Sequence, residues 1–189
     1  MDEDAELVER SRTGDLAAFE QLVERHRAVV YRVAARTVGH VEAEDVSQDS
    51  FLRAFHRLEH YRGEGSFRAW LLQIVHNTAL NWHARRRPEP VESVPEADPD
   101  RGGAEVGERQ PAVRLEREER RRRLELKLRG LRPEHRAVLV LRDIEGLPYD
   151  EIAAITQAPL GSVKGRLHRA RGELIDALRN NTYDWELPE

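Results

Sequence analysis

Cationic side chains crowd a short segment between Ser162 and Gly172, in which no acidic residue occurs. Lys164, His168 and Arg171 follow one another at intervals of four and three residues, which places them on one face of a helix. Lysine and arginine donate hydrogen bonds to base edges and phosphates, so the predicted chemistry is nucleic-acid binding without bond making or breaking. The candidate residues are Ser162, Lys164, Gly165, Arg166, His168, Arg169 and Arg171.

The residues around this segment predict how the basic helix is held. Pro159 and Gly161 interrupt the preceding helical pattern, and Ser162 is predicted to cap the helix that follows. The result is a helix-turn-helix pattern over residues 149–171, whose second helix would enter the major groove of DNA. The alternative is an amphipathic helix with a solvated basic face. The apolar back of the helix is predicted at Val163, Leu167, Ala170, Leu174 and Ala177.

A ridge of amides predicts a second nucleic-acid surface in the first half of the chain. Amides contribute little to helix stability but hydrogen-bond well to bases, and aromatic rings beside them can stack on unpaired bases. The alternative is an inert polar surface over an aromatic core. The ridge consists of Gln73, Asn77, Asn81 and Arg85, and it ends in the arginine run 85–87. The aromatic neighbours are Tyr61, Phe67, Trp70 and Trp82, of which we assign Phe67 and Trp70 to the core.

Apolar periodicity predicts an all-α fold, because helical stripes are present and no alternating strand pattern is found. In the first half, we expect Leu16, Leu52 and Phe55 to lie in the core of a helical bundle. A glycine-bearing loop at residues 61–66 precedes the last helix of that bundle. The predicted helices cover residues 16–37, 42–58 and 67–87.

The middle of the chain differs in composition from both ends. Between Pro88 and Pro111, proline, glycine and acidic residues dominate, which is typical of a flexible linker. The net charge of −4 divides into −1 for residues 1–88, −5 for 89–110 and +2 for 111–189, so the linker carries the excess negative charge. We therefore expect two small helical domains that move independently. The predicted domains are 1–88 and 112–181, with the linker at 89–111 and a tail at 182–189.

Composition excludes several classes of function. The chain has no cysteine, which excludes disulfides, thiolate metal sites and thiol redox sensing. No apolar run has membrane-spanning length and the acidic start is unlike a signal peptide, so we predict a cytoplasmic protein without membrane insertion. His56 and His60 have the spacing of a metal-ligand pair, but no third ligand is evident. We predict no catalytic residue, no metal and no cofactor.

Two other classes of protein remain as alternatives. An ordinary helix-turn-helix regulator would explain the second domain but leaves the amide ridge of the first unexplained. A protein that docks on another protein without contacting DNA is the other alternative.

Two long segments of the chain resemble the small extracytoplasmic-function class of bacterial sigma factors. The first is AEDVSQDSFLRAFHRLEHYRGEGSFRAWLLQIVHNTALNWHARRR, and the second is LRPEHRAVLVLRDIEGLPYDEIAAITQAPLGSVKGRLHRAR. They occur in the family's order, with its usual linker between them. The resemblance implies a sigma region 2 helical bundle followed by a sigma region 4 helix-turn-helix. It also implies a transcription initiation factor that directs core RNA polymerase to specific promoters.

The resemblance further implies roles for single residues. The surface that docks the coiled-coil clamp of the largest polymerase subunit would be formed by Asp45, Gln48, Asp49 and Phe51. Capture of the melted minus-ten element would involve Tyr61, Arg62, Ser66, Gln73, Asn77, Asn81, Arg85, Arg86 and Arg87. The basic residues of the helix-turn-helix would read the minus-thirty-five element as duplex. Gly165 stands where the family more often has serine, and His168 occupies a variable position. The resemblance therefore does not imply which promoter sequence this chain prefers.

The implied partners are core RNA polymerase, through its clamp and flap, and promoter DNA. Sigma factors of this class usually also have an anti-sigma factor, which could hold the protein at the membrane.

Overall fold

The computed structural model describes residues 3–63, 65–85 and 111–179, and all regular structure within these ranges is helical. The all-α prediction is confirmed. The first group of helices comprises α1 Glu3–Arg12, α2 Leu16–Val38, α3 His40–Arg57 and α4 Phe67–Arg85. The second group comprises α5 Pro111–Gly130, α6 Pro133–Leu139, α7 Tyr149–Thr156 and α8 Leu160–Arg179.

Helices α2, α3 and α4 pack against one another and form the body of the first domain. Asp15 caps α2, because its side chain accepts a hydrogen bond from the backbone N–H of Ala18 at 3.1 Å. Gly39 joins α2 to α3 with a φ of 107°, a conformation that side chains rarely adopt. The buried apolar residues of this domain include Leu22, Val30, Val46, Phe67, Leu71 and Val75.

Helix α1 was not predicted, because Leu7 and Val8 are its only large apolar residues. Polar contacts hold it against α2 in addition to these two side chains. The buried Asp4 carboxylate accepts a hydrogen bond from Nη1 of Arg25 at 2.7 Å and lies 2.8 Å from Nε2 of the buried His26. Such a contact between distant polar residues leaves no periodic signal in the sequence.

Three apolar residues that were predicted in the core are exposed. The exposed fractions are 62% for Leu16, 61% for Leu52 and 38% for Phe55. Helix α3 instead buries the face that carries Val46 and Ser50. Ser50 can lie there because its hydroxyl donates to the Val46 carbonyl oxygen at 2.6 Å, which satisfies the polar group within the helix.

The second domain places the turn of the helix-turn-helix between Thr156 and Leu160. Gln157 ends α7 in the left-handed conformation, with a φ of 51°. Helix α8 begins at Leu160, so Ser162 lies inside its first turn and the prediction that Ser162 caps the helix is wrong. Pro159 directly precedes the helix because its fixed φ suits the approach, and the first turn tolerates Gly161.

The two domains are in contact, although the sequence led us to expect independent movement. Helix α7 packs along α4, and α5 and α6 meet α2. At that second contact, Nε2 of His40 lies 2.6 Å from a carboxylate oxygen of Glu125. The predicted linker lies outside the described residues except for Pro111, and the predicted tail at 182–189 lies outside them entirely.

Arg136 is a buried cation that joins the two domains. Its guanidinium donates to the carbonyl oxygen of Thr37 in the first domain. It also donates to the carbonyl oxygens of Arg129 at 2.6 Å and Leu131 at 3.0 Å. Burial, together with the charge of Arg129, lowers the pKa of Arg136 to about 10, so the side chain still carries its charge at neutral pH.

Candidate nucleic-acid interface

Helix α8 is anchored along one side in the second domain. Val163, Leu167 and Ala170 are at most 2% exposed, and they share an apolar core with Ile152 and Ile155 of α7. The opposite side of α8 is cationic and open to solvent. This is the arrangement that a recognition helix requires, since the apolar back fixes the depth to which its donors reach.

The structure places most of the predicted α8 residues on that open side. Tyr149 lies beside the start of the helix, with Nζ of Lys164 5.8 Å from its ring centre and the guanidinium of Arg142 4.6 Å away. The face of an aromatic ring attracts cations, so Tyr149 restricts where both side chains point. The exposed residues are Ser162, Lys164, His168, Arg169 and Arg171, while Gly165 and Arg166 are half-buried.

Two of the predicted arginines already interact with other parts of the protein. Arg171 forms an ion pair with Asp143, which follows α6. Arg166 lies close enough to His76 of the first domain to affect its protonation. Arg169 instead lies over Gly165, with its guanidinium 3.6 Å from the position that a Cβ atom on Gly165 would occupy.

The amide ridge of α4 is partly covered by the second domain. Gln73 and Asn77 are half-buried and Asn81 is exposed. Nε2 of Gln73 lies 3.4 Å from the carbonyl oxygen of Ala154 in α7, a long and weak hydrogen bond. The side chain of Arg85, and the whole of Arg86 and Arg87, lie outside what the structure describes.

The loop before α4 is held by Tyr61, which is 7% exposed. Its hydroxyl donates to the carbonyl oxygen of Gly65 at 2.9 Å. Ser66 caps α4 by accepting a hydrogen bond from the N–H of Ala69 at 3.1 Å. Arg62 and Ser66 are exposed. The burial of Tyr61 gives it a role in shaping the loop and does not fit the prediction that its ring stacks on an unpaired base.

Arg12 of α1 anchors the same loop from the other side. Its Nη2 donates to the carbonyl oxygens of Tyr61 at 2.6 Å and Glu59 at 3.1 Å, and its Nε donates to that of Leu58 at 3.3 Å. Sequence reasoning missed this residue, because a single arginine at the end of a short polar helix belongs to no motif.

The outer face of α3 combines acidic and apolar side chains. Asp45 and Gln48 are exposed, and Asp49 and Phe51 are half-buried. The exposed Leu52 continues the face, because it follows Asp45 and Gln48 at helical spacing. An exposed face of this kind is typical of a protein-docking surface. Sequence reasoning missed Leu52 as a surface residue because its apolar character assigned it to the core.

A buried histidine lies where the two domains meet. His76 of α4 is 7% exposed. Its burial, and the nearby positive charge of Arg166, lower the pKa of His76 to about 4, so the ring is neutral at physiological pH.

The described residues contain no group of three or more metal-ligating side chains that could hold a metal ion. His56 and His60, the pair with metal-ligand spacing, are both exposed. Among the described helices, none is long and apolar enough to cross a membrane.

Comparison with known families matches both halves of the chain. Residues 22–89 match Sigma-70 region 2, and residues 121–174 match Sigma-70, region 4. The chain is 37% identical over 177 residues to the ECF RNA polymerase sigma-E factor of Salmonella typhimurium, an alignment that covers 92% of each chain. The chain belongs to the ECF family of RNA polymerase sigma factors. This sigma factor is also 39% identical over 174 residues to the ECF RNA polymerase sigma factor SigE of Mycolicibacterium smegmatis, covering 90% of this chain and 66% of that one.

Solved structures show the same fold as this sigma factor. CnrH, in complex with the cytosolic domain of CnrY, superposes with a TM-score of 0.67 at 29% identity, covering 95% of this chain and 99% of that one. The sigma factor RpoE of Bartonella quintana, in complex with the anti-sigma factor NepR, gives a TM-score of 0.65 at 22% identity, covering 86% and 98%. The family predicted from the sequence is confirmed, and the protein is a transcription initiation factor that directs RNA polymerase to promoters.

Proposed function

We propose that this sigma factor reads promoters with two surfaces on separate domains. Helix α8 enters the major groove at the minus-thirty-five element, while α4 and the loop before it capture the minus-ten element as a melted strand. The sigma factor makes and breaks no bonds, and the polymerase performs the chemistry. Because the first domain binds the strand only after melting, its binding shifts the population toward open promoter.

The observation that carries this proposal is the anchoring of α8. Its apolar back is at most 2% exposed at Val163, Leu167 and Ala170, whereas Lys164 and Arg169 are exposed on the other side. A helix fixed in this way can hold long donors at a set depth in the groove. We assign base contacts to Lys164, Gly165, His168 and Arg169, backbone contacts to Ser162 and Arg166, and support of the helix to Arg171.

The first domain supplies the single-strand surface. The amides of Gln73, Asn77 and Asn81 can donate to and accept from the edges of unpaired bases. In the loop, Arg62 and Ser66 are exposed and can contact the strand, while the buried Tyr61 keeps the loop in shape. We assign contact with the upstream duplex to Arg85, Arg86 and Arg87.

We assign polymerase docking to the outer face of α3. Asp45, Gln48 and Asp49 provide polar contacts for the clamp of the largest subunit, beside the half-buried Phe51. The 61% exposure of Leu52 on the same face supports this assignment, because an exposed leucine gains free energy when a partner covers it. The second domain would contact the polymerase flap.

An anti-sigma factor is the proposed regulator. The likeness to CnrH, which was solved with the cytosolic domain of CnrY, supports this assignment. We place the protein in the cytoplasm with its polymerase, where such a regulator could hold it at the membrane.

The experiment that tests the single-strand surface compares Asn77→Ala with Gln21→Ala, an exposed amide of α2. Promoters are first selected from a randomised library with core polymerase and the wild-type protein. Permanganate reactivity then reports opening of the duplex promoter, and transcript yield reports use of a pre-melted template. We expect Asn77→Ala to impair opening of duplex more than use of the pre-melted template. Equal loss on both templates would contradict a role in opening, and no loss on either would make the ridge an inert surface.

A further inference from the structure

Three arginines of the first domain surround one carboxylate of the second. Glu145, just before α7, has a side chain that is only 3% exposed. Arg32 of α2 makes two hydrogen bonds to it, from Nε at 3.1 Å and from Nη2 at 2.9 Å. Nη1 of Arg36 and Nη2 of Arg68 lie 3.9 and 3.7 Å from its oxygens.

This arrangement has the features of a phosphate-binding site. Arg32 and Arg36 are one helical turn apart on α2, and Arg68 comes from the first turn of α4, so two packed helices fix the spacing of the three cations. A guanidinium binds carboxylate and phosphate oxygens with the same two-point geometry. Glu145 therefore presents to these arginines the chemical group that a nucleic-acid phosphate would present.

The same contact between the domains covers part of the amide ridge. Helix α7, which begins four residues after Glu145, packs along α4, and Gln73 lies against its Ala154 carbonyl oxygen. Asn77, one turn further along the ridge, is half-buried. In this arrangement a melted strand cannot reach Gln73, since α7 occupies the space beside it.

We propose that Arg32, Arg36 and Arg68 form a backbone-phosphate site for promoter DNA, and that Glu145 occupies this site in the free protein and so holds the two domains closed. Closure hides the single-strand surface until DNA phosphate displaces Glu145. The inhibitory part of this inference rests on the proposed role of the amide ridge, whereas the phosphate site and the closure do not.

Several polar contacts between the domains suit reversible closure. Besides the three arginines around Glu145, Arg136 donates a hydrogen bond to the Thr37 carbonyl oxygen, and His40 pairs with Glu125. Contacts of this kind resemble transient protein interfaces, which separate when a competing partner satisfies the same groups. DNA, with one phosphate per nucleotide, is a competitor for the arginine site.

Closure can be measured as a distance within the free full-length protein. Because the chain has no cysteine, Ala17→Cys on α2 and Leu178→Cys on α8 provide two unique positions for a donor and an acceptor dye. Both residues are exposed. Glu145→Gln removes the charge of Glu145 with little change in shape, and Asp150→Asn removes the same charge from an exposed residue of α7.

We expect Glu145→Gln to lower energy transfer and to raise affinity for short random-sequence single-stranded DNA roughly threefold to tenfold, since a charge-assisted contact is lost. Asp150→Asn should change neither quantity. Unchanged energy transfer in Glu145→Gln would overturn the closure. If Glu145→Gln opens the protein but gains no more DNA affinity than Asp150→Asn does, the proposed competition between Glu145 and DNA is overturned.

The phosphate site is tested in the opened background. Adding Arg32→Ala to Glu145→Gln should weaken DNA binding and reduce the slope of log affinity against log salt by about 0.7, the value for one single-strand phosphate contact. The control adds Arg27→Ala, an exposed arginine of α2 paired with the exposed Glu24. Equal binding by the two double variants would overturn the phosphate site. Asn77→Ala in the same background tests the ridge separately, because the contact between the domains is already open there.

Discussion

Arg171 and Asp143 form a two-point ion pair that links α8 to the helical turn after α6. Nε of Arg171 lies 2.9 Å from Oδ2 of Asp143, and Nη2 lies 2.6 Å from Oδ1. The hydrogen bond to Asp143 raises the pKa of Arg171 above its ordinary value. The pair adds a polar contact to the apolar anchoring of α8, which gives Arg171 a supporting role.

We therefore expect Arg171→Ala to weaken binding to all promoter sequences alike. The side chains of the pair are 50% and 34% exposed, so the free energy of unfolding should fall by no more than about 1 kcal/mol. Thermal unfolding and binding to a set of single-base promoter variants measure the two effects. Arg179→Ala, an exposed arginine in the last turn of α8, is the matched control. A change of base preference at one position would contradict the supporting role.

Arg169→Ala should behave differently, because the guanidinium of Arg169 is exposed and lies over Gly165 near the start of α8. Loss of a base-contacting arginine costs about 1–3 kcal/mol and relaxes preference at one position. The same set of single-base variants measures this. If affinity and preference are both unchanged, α8 carries only a solvated cationic face at this position.

The pKa of His76 predicts that acid weakens the fold. In the unfolded chain His76 binds a proton as the pH falls through about 6.5, whereas in the folded protein it stays neutral down to about pH 4. The unfolded state therefore binds more protons between these values, and the free energy of unfolding falls as the pH falls through this window, by roughly 3 kcal/mol at most.

Denaturant unfolding of wild type and His76→Gln at a series of pH values checks this. The variant should lose a smaller part of its stability between pH 6.5 and pH 4, because glutamine does not titrate. Parallel pH profiles for the two proteins would show that His76 does not bind protons differently in the folded and unfolded states.

Leu52→Ala should weaken binding to core polymerase without lowering the thermal stability of the free protein, because Leu52 is 61% exposed. Removal of an apolar side chain that a partner buries costs about 1–3 kcal/mol of binding free energy. Asp45→Lys should weaken the same binding through charge reversal. Leu126→Ala, which changes a 62% exposed leucine of α5, serves as the control. Wild-type affinity in both α3 variants would remove the docking surface from this face.

Helices α2, α3 and α4 and the recognition helix could be predicted from the sequence because they depend on local spacing. The stripe of Val163, Leu167 and Ala170 predicted the buried back of α8, and those residues are at most 2% exposed. Leu52 shows the limit of the same argument. Periodicity identifies an apolar position, but it does not distinguish a core face from a face that another protein covers.

Contacts between distant residues could not be predicted in this way. The sequence gives no sign that Glu145 meets Arg32, which is 113 residues away, or that Arg12 anchors the loop at Tyr61. These contacts depend on how separate helices pack. The expectation of independent domains came from the composition of the linker, which does not report the affinity of the domains for each other.

Transcription of a randomised promoter library by core polymerase tests the central claim most directly. Sequencing of the transcripts with this protein, with Asn77→Ala and with Lys164→Ala should reveal two separated elements that wild type enriches and that core polymerase alone does not. Asn77→Ala should change only the element nearer the start site, and Lys164→Ala only the distant one. Enrichment of a single element, or the same two elements in all three proteins, would contradict the account of two surfaces on separate domains.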